Sequence, residues 1–155
     1  MIFRLATVAD LKQLAQMRWA YWVEGGSDPA KQDEQEFVSG FVEVIKTRLG
    51  QDWYVWCAVE DRKILSHVYV QRIQKVPKPS APADTFGYVT NVYTRPSHRN
   101  DGIGSALMKH LKAWAHELDL EFLVLWPSEA SLPFWRRMDF TADDPLVFEV
   151  RPYVN

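Results

Sequence analysis

A second cysteine is missing from this sequence. Cys57 stands alone, which excludes an internal disulfide and fits a reducing compartment. It lies in the apolar run "WYVWCAV" and reads as a small buried side chain rather than a nucleophile. No apolar stretch is long enough to cross a membrane, and "MIFRLATVAD" lacks the charged, apolar and small-residue regions of a signal peptide. The expected location is the cytoplasm. Basic excess is missing too. Eighteen basic residues against twenty acidic ones leave a formal charge of −2, which argues against a nucleic-acid partner.

What is present suits one folded unit over residues 1–155. At 47% hydrophobic and 25% charged residues, the chain has the composition of a globular domain rather than a disordered one, and two domains of half this length would each be marginal. The order of patterns predicts the class. "IFRLAT" alternates as a strand, and Thr7 or Asp10 is placed to cap the helical spacing of "LKQLAQMRWAYWVE". "KQDEQEFVSGFVEVIKTRL" is acidic at its start and basic at its end, as a helix dipole favours. "DWYVWCAVE" and "KILSHVYVQRI", joined by Asp61-Arg62, read as a hairpin. "KVPKPSAPAD" holds three prolines and reads as a loop. "FGYVTNVYT" is a strand, "GIGSALMKHLKAWAHEL" an amphipathic helix, "EFLVLW" a short apolar strand, "ASLPFWRRM" a short helix and "LVFEV" a closing strand. One helix between two strands makes those strands parallel neighbours, while the hairpins elsewhere are antiparallel. The expectation is a mixed α/β (α+β) domain.

The informative stretch is "RPSHRNDGIGSALMKHL", a glycine turn between a strand and a helix. Glycines at 102 and 104 would permit a tight turn and nothing more. At a helix N-terminus, however, the same turn exposes backbone N–H groups and the positive end of the dipole, which suits a pyrophosphate. A phosphate-binding P-loop needs Lys-Ser/Thr after its second glycine, where Ser105-Ala106 stand here, and the dinucleotide pattern near the first strand is absent. A nucleotide-binding protein is therefore a poor fit.

"VTNVYTRPSHRNDGIGSALM" resembles the coenzyme A signature of the GNAT superfamily of N-acetyltransferases, with Arg99, Gly102 and Gly104 filling Arg/Gln-x-x-Gly-x-Gly/Ala. "FRLATVADLKQLAQMRW" resembles the first strand and helix of that family, and "LVLWPSEASLPFWRRMDF" its late segment. The resemblance implies a GNAT acyl-CoA N-acyltransferase fold: a mixed, mostly antiparallel twisted sheet with one parallel splayed strand pair and helices on both faces. It implies acetyl-CoA as co-substrate, cradled by Arg99, Asn100, Asp101, Gly102, Ile103, Gly104 and Ser105, with Val92, Tyr93 and Thr94 along the pantetheine and Ser128 and Phe134 nearby. The Val92 backbone N–H would donate to the thioester carbonyl, and an amine would attack directly, with no covalent enzyme intermediate. No metal is implied; His110 and His116 fall on different faces of their helix and make no metal pair.

Two positions depart from the late motif. Trp135 stands where the family commonly has the tyrosine that protonates the departing thiolate, and an indole N–H is no acid near neutral pH. Water or Ser131 is the substitute. Asp139 replaces a glycine, and Asp tolerates turn conformations. Asp101 is expected to face solvent, as a helix N-cap. Candidates for the general base are Glu24, Asn91, Tyr93 and His67, the last also readable as a satisfied core histidine. Trp22, Glu24 and His67 are candidates for the acceptor side. Trp19, Tyr21 and Trp22 cannot share one core stripe, so an aromatic wall beside Glu24 would suit a cationic amine.

Two function classes remain open at this point. One is an N-acetyltransferase acting on a primary amine of a small molecule or peptide. The other is an acyl-CoA-binding sensor or partner module of the same fold with little turnover. By the resemblance, "LVFEVRPYVN" is also a candidate edge for a homodimer.

Overall fold

A computed structural model describes residues 1–79 and 84–141. Five strands form one sheet in the order in which they occur: β1 (Ile2–Leu5), β2 (Trp53–Glu60), β3 (Lys63–Gln74), β4 (Thr85–Thr94) and β5 (Leu123–Val124). The first three pairings are antiparallel and β4–β5 is parallel, as the helix between them requires. Four helices cover the sheet: α1 (Leu11–Glu24), α2 (Glu34–Lys46), α3 (Ile103–Glu117) and α4 (Leu132–Arg137).

Each face of the sheet carries its own core. Leu11, Leu14 and Met17 of α1 pack on Val55, Cys57, Ile64, Tyr69 and Tyr93, with Phe41 and Ile45 of α2 outside them. On the other face Leu107, Met108, Leu111 and Trp114 of α3 and Trp135 of α4 pack on Val68, Val70 and Val89. β3 lies between these layers and is buried from Ile64 to Val70. Cys57 is fully buried, and its thiol is pushed up to about 12 by burial, which removes it as a nucleophile. The Asp61-Arg62 hairpin forms with both residues left-handed, the geometry that matches strand twist.

Several boundaries differ from the sequence expectation. β1 ends at Leu5, and Thr7 instead caps a 3₁₀ turn at Val8–Asp10, its N–H donating to the Asp10 carboxylate at 2.7 Å while Arg4 pairs with the same carboxylate at 2.8 Å. α2 starts at Glu34 rather than Lys31, capped by the Asp33 carboxylate on the Glu36 N–H at 2.9 Å, after a separate 3₁₀ turn at Pro29–Lys31. "EFLVLW" pairs only over Leu123–Val124. The late helix is a 3₁₀ turn, Glu129–Ser131, running into α4. The closing strand at 146–150 and the dimer edge at 146–155 lie outside the described residues.

Asp139 occupies a turn conformation that suits glycine, the residue that the resemblance implied there. It is left-handed, with φ of 63°, just after α4. Its carboxylate meets Lys112 Nζ at 2.8 Å, and the same ammonium donates to the Met138 carbonyl at 3.1 Å, so the turn is held from α3.

Candidate functional site

The site lies where β4 parts from both neighbours. Towards β3, His67 pairs with Tyr93 and Tyr69 with Thr90, so Asn91 and Val92 together oppose Val68 alone. This bulge puts Asn91 at φ of 49°, a left-handed conformation that Asn accepts more readily than most residues. Towards β5, pairing stops after Tyr88↔Val124, and residues 89–94 have no strand on that side among the described residues. Gly87 sets the contact point: a Cβ there would stand 2.6 Å from the Leu123 side chain. The two strands touch at this point and then splay apart, which leaves the edge of the bulge free for a ligand.

Beyond β4 the chain makes a 3₁₀ turn at Pro96–His98 and enters α3 through Asn100 and Gly102, both left-handed with φ of 67° and 75°. The first helical amide taken inside the chain is that of Ala106, by the Gly102 carbonyl at 3.0 Å, so the amides of residues 103–105 face outward from the helix end. A Cβ on Gly104 would sit in ordinary van der Waals contact, 3.7 Å from Thr94 Oγ1 and 3.8 Å from Phe134, whereas nothing lies within 4 Å of the Cβ position of Gly102. Such a cradle fits a pyrophosphate. The N-cap is Gly102, with left-handed backbone, not Asp101; Asp101 is exposed, as expected.

Arg99 does not extend free over the cradle. Its guanidinium grips Glu24 at the end of α1, with Nη1 and Nη2 at 2.5 and 2.9 Å from the two carboxylate oxygens. Its Nε donates to the Thr94 carbonyl at 2.9 Å, and the group stands over the Tyr93 ring at 5.4 Å. A cleft of about 780 Å³ opens beside this pair, between α1 and the end of β4, with Trp19, Val23, Lys63, Tyr93 and Arg95 among its walls.

The candidate bases are not tuned to titrate near neutrality. Arg99 holds Glu24 below the usual carboxylate range. Burial, then the Glu24 charge, raises Tyr93. Burial lowers His67 to about 3, with Arg18 and Arg95 adding to the effect and the Asn91 backbone opposing it. His67 is buried, as one reading held, but not satisfied: neither ring nitrogen has a hydrogen-bond partner, nor does the buried hydroxyl of Tyr69 beside it. Asn91 has no proton to exchange and accepts from Arg18 at 3.3 Å.

In the late segment, Trp135 packs into the α3-side core, and its indole N–H is spent on Ser131 Oγ at 3.2 Å. Ser131 in turn donates to the Ser128 carbonyl at 2.9 Å. Phe134 lines the cradle side, over Gly104. Of the three aromatic residues on α1, Trp19 is buried, Trp22 half-buried against it at 5.0 Å, and Tyr21 exposed, edge-on to Tyr93 at 5.7 Å. The aromatic wall exists, but Glu24 beside it is already paired. The sequence reading missed Arg18 and Arg95. Arg18 carried a signal, because it falls on the buried stripe of α1 at helical spacing from Leu11, Leu14 and Ala15.

The class this fold defines is a mixed α/β domain whose sheet parts at a bulge just before a glycine turn into a helix. The chain belongs to the acetyltransferase (GNAT) family, whose model matches residues 11–140. No curated protein matches it in sequence. Among solved structures it is similar to a GCN5-related N-acetyltransferase from Ralstonia eutropha JMP134, at 29% identity and a TM-score of 0.75 over 98% of this chain and 97% of that one. A predicted acetyltransferase from Clostridium acetobutylicum, solved with acetyl-CoA, matches at 22% identity and 0.76 over 96% of each chain. A putative acetyltransferase from Agrobacterium tumefaciens str. C58 matches at 21% and 0.73, over 97% of this chain and 99% of that one.

Proposed function

We propose that the protein transfers an acetyl group from acetyl-CoA to a primary amine by direct attack within a ternary complex. The observation that carries this reading is the bulge at Asn91-Val92 lying on a free strand edge directly upstream of the Gly102 cradle. The acetyl-CoA in the Clostridium relative supports the same co-substrate here.

The outward amides of residues 103–105 would hold the pyrophosphate, and the open edge of β4 at Val92, Tyr93 and Thr94 the pantetheine arm. The Val92 N–H would polarise the thioester carbonyl as negative charge develops on its oxygen. The amine nitrogen bonds to the carbonyl carbon, the C–S bond breaks, and the thiolate leaves with its electron pair. The acceptor ammonium first gives one proton to solvent to become the attacking amine, and the proton that the nitrogen sheds after attack restores the thiol, giving an amide and free CoA. With Trp135 bonded to Ser131 and the candidate bases shifted away from neutrality, proton movement falls to water, and the protein contributes mainly by holding two reactants in contact.

Thermal shift with CoA, acetyl-CoA and ATP on wild type and Gly104→Glu tests the cradle. Stabilisation by the CoA species alone, lost in the variant, is expected, followed by thiol release when amines are added to enzyme and acetyl-CoA. CoA-specific stabilisation without thiol release from any amine would favour the sensor reading. No stabilisation by CoA would sink both.

A further inference from the structure

Arg18 is a half-buried cation with no acidic partner among the described residues. Its one hydrogen bond is the long contact to Asn91 Oδ1, at 3.3 Å, which leaves most of its five donors unused. It reaches from α1 to Asn91 of the bulge, the residue that precedes Val92, whose amide is assigned above to the thioester carbonyl. The guanidinium stands over the Tyr21 ring, 5.3 Å from its centroid. A planar guanidinium fork matches a carboxylate through two parallel hydrogen bonds.

The surroundings point the same way. His67 is entirely buried on the α1 side of the sheet, beside Asn91, with both nitrogens unpartnered, and the Tyr69 hydroxyl next to it is likewise unpartnered. Lys63 and Arg95 line the adjoining cleft without acidic partners among the described residues, and Arg95 is held by the Ile64 carbonyl at 2.7 Å. Glu24, the one carboxylate of that cleft, is occupied by Arg99. A purely cationic amine would meet uncompensated positive charge here, whereas an amine that brings its own carboxylate would neutralise it.

We propose that the acceptor is a small amine carrying a carboxylate, and that Arg18 binds that carboxylate. This rests on the acyl-transfer reading above and narrows it to one substrate class. It replaces the expectation of a simple cationic amine paired with Glu24.

The test is thiol release from acetyl-CoA with matched amino acids and their primary amides: glycine and glycinamide, β-alanine and its amide, 4-aminobutyrate and its amide. Wild type, Arg18→Gln and Arg18→Lys are compared, each first shown to be stabilised by CoA so that folding is established. In at least one pair the acid is expected to exceed the amide about tenfold or more in kcat/KM. Arg18→Gln should bring the ratio to within about threefold, mainly through KM, with Arg18→Lys between. Amides matching or exceeding acids in every pair would overturn the proposal, as would a preference that survives in Arg18→Gln. If no amine is turned over, the acyl-transfer reading fails by itself. The carboxylate site is then read by melting temperature with each acid in the presence of CoA, and the absence of an acid-specific, Arg18-dependent shift overturns it too.

Discussion

Arg99 and Glu24, 75 residues apart, meet in a two-pronged ion pair that ties the entrance of α3 to the end of α1. Both side chains are about two-fifths exposed, at 39% and 40%, so the pair adds little to stability in water. Its consequence is for the ligand. While Glu24 holds the guanidinium, Arg99 is engaged at the end of α1 instead of free over the glycine turn.

Glu24→Gln is therefore expected to tighten CoA binding by about threefold or more, as Arg99 becomes free to meet phosphate oxygens. The melting temperature should barely move. Titration calorimetry with CoA checks this, and weaker binding in the variant would show that the pair positions the cradle rather than competing with it.

Gly102 and Gly104 should separate cleanly. At φ of 75°, Gly102 is strained by any side chain, although nothing lies near its Cβ position. Gly102→Ala is expected to cost about 1–2 kcal/mol in chemical denaturation. Gly104→Ala, whose Cβ would meet Thr94 and Phe134 only at ordinary contact distance and at no positive φ, should leave stability within about 0.5 kcal/mol of wild type. Equal losses from both would mean that the turn tolerates the left-handed residue without strain.

His67 gives the fold a pH dependence of known sign. Its folded value of about 3 lies below the ordinary histidine value of 6.5, so between these limits the unfolded chain binds the extra proton. The stability it confers is complete above about pH 6.5 and declines as pH falls towards 3, at no more than about 1.4 kcal/mol per pH unit. Asp10, Glu24 and Asp52 are shifted down from ordinary carboxylate values, so their losses come at more acidic pH. His67→Leu should flatten the melting-temperature profile between pH 4.5 and 6.5. A profile as steep as that of wild type would place the titrating group elsewhere.

The parallel strand pair, the hairpin and the glycine turn were legible in the sequence because each depends on local patterns: a helix between two strands, a turn at Asp61-Arg62, glycines at a strand-to-helix junction; the splay of the pair came only with the family resemblance. Arg99 illustrates the limit. Its place in the motif follows from spacing, but its partner lies 75 residues away and is set by how α1 packs across β4. His67 was likewise recognisable as a core residue, while its lack of partners depends on the bulge two strands must agree on. Arg18 sat in plain view on an apolar stripe. A charge in that position marks either a buried ion pair or a ligand, and only the packing of α1 over Asn91 separates the two.

Trp135 bears most directly on catalysis. Its N–H is bonded to Ser131 and its rings pack between Phe134 and Phe140, so its role here is to fill the core beneath the late segment. Trp135→Phe is expected to cost about 1–3 kcal/mol, through lost packing and the lost hydrogen bond to Ser131, while kcat at a temperature where the variant is folded changes less than about twofold. Trp135→Tyr offers the complementary measurement. A phenol in this position, still directed at Ser131, should raise kcat little, because the core and not the thiolate receives it. If Trp135→Phe instead lowered kcat tenfold with its KM values intact, the indole N–H would have to reach the leaving group during the reaction, and α4 would have to move to allow it.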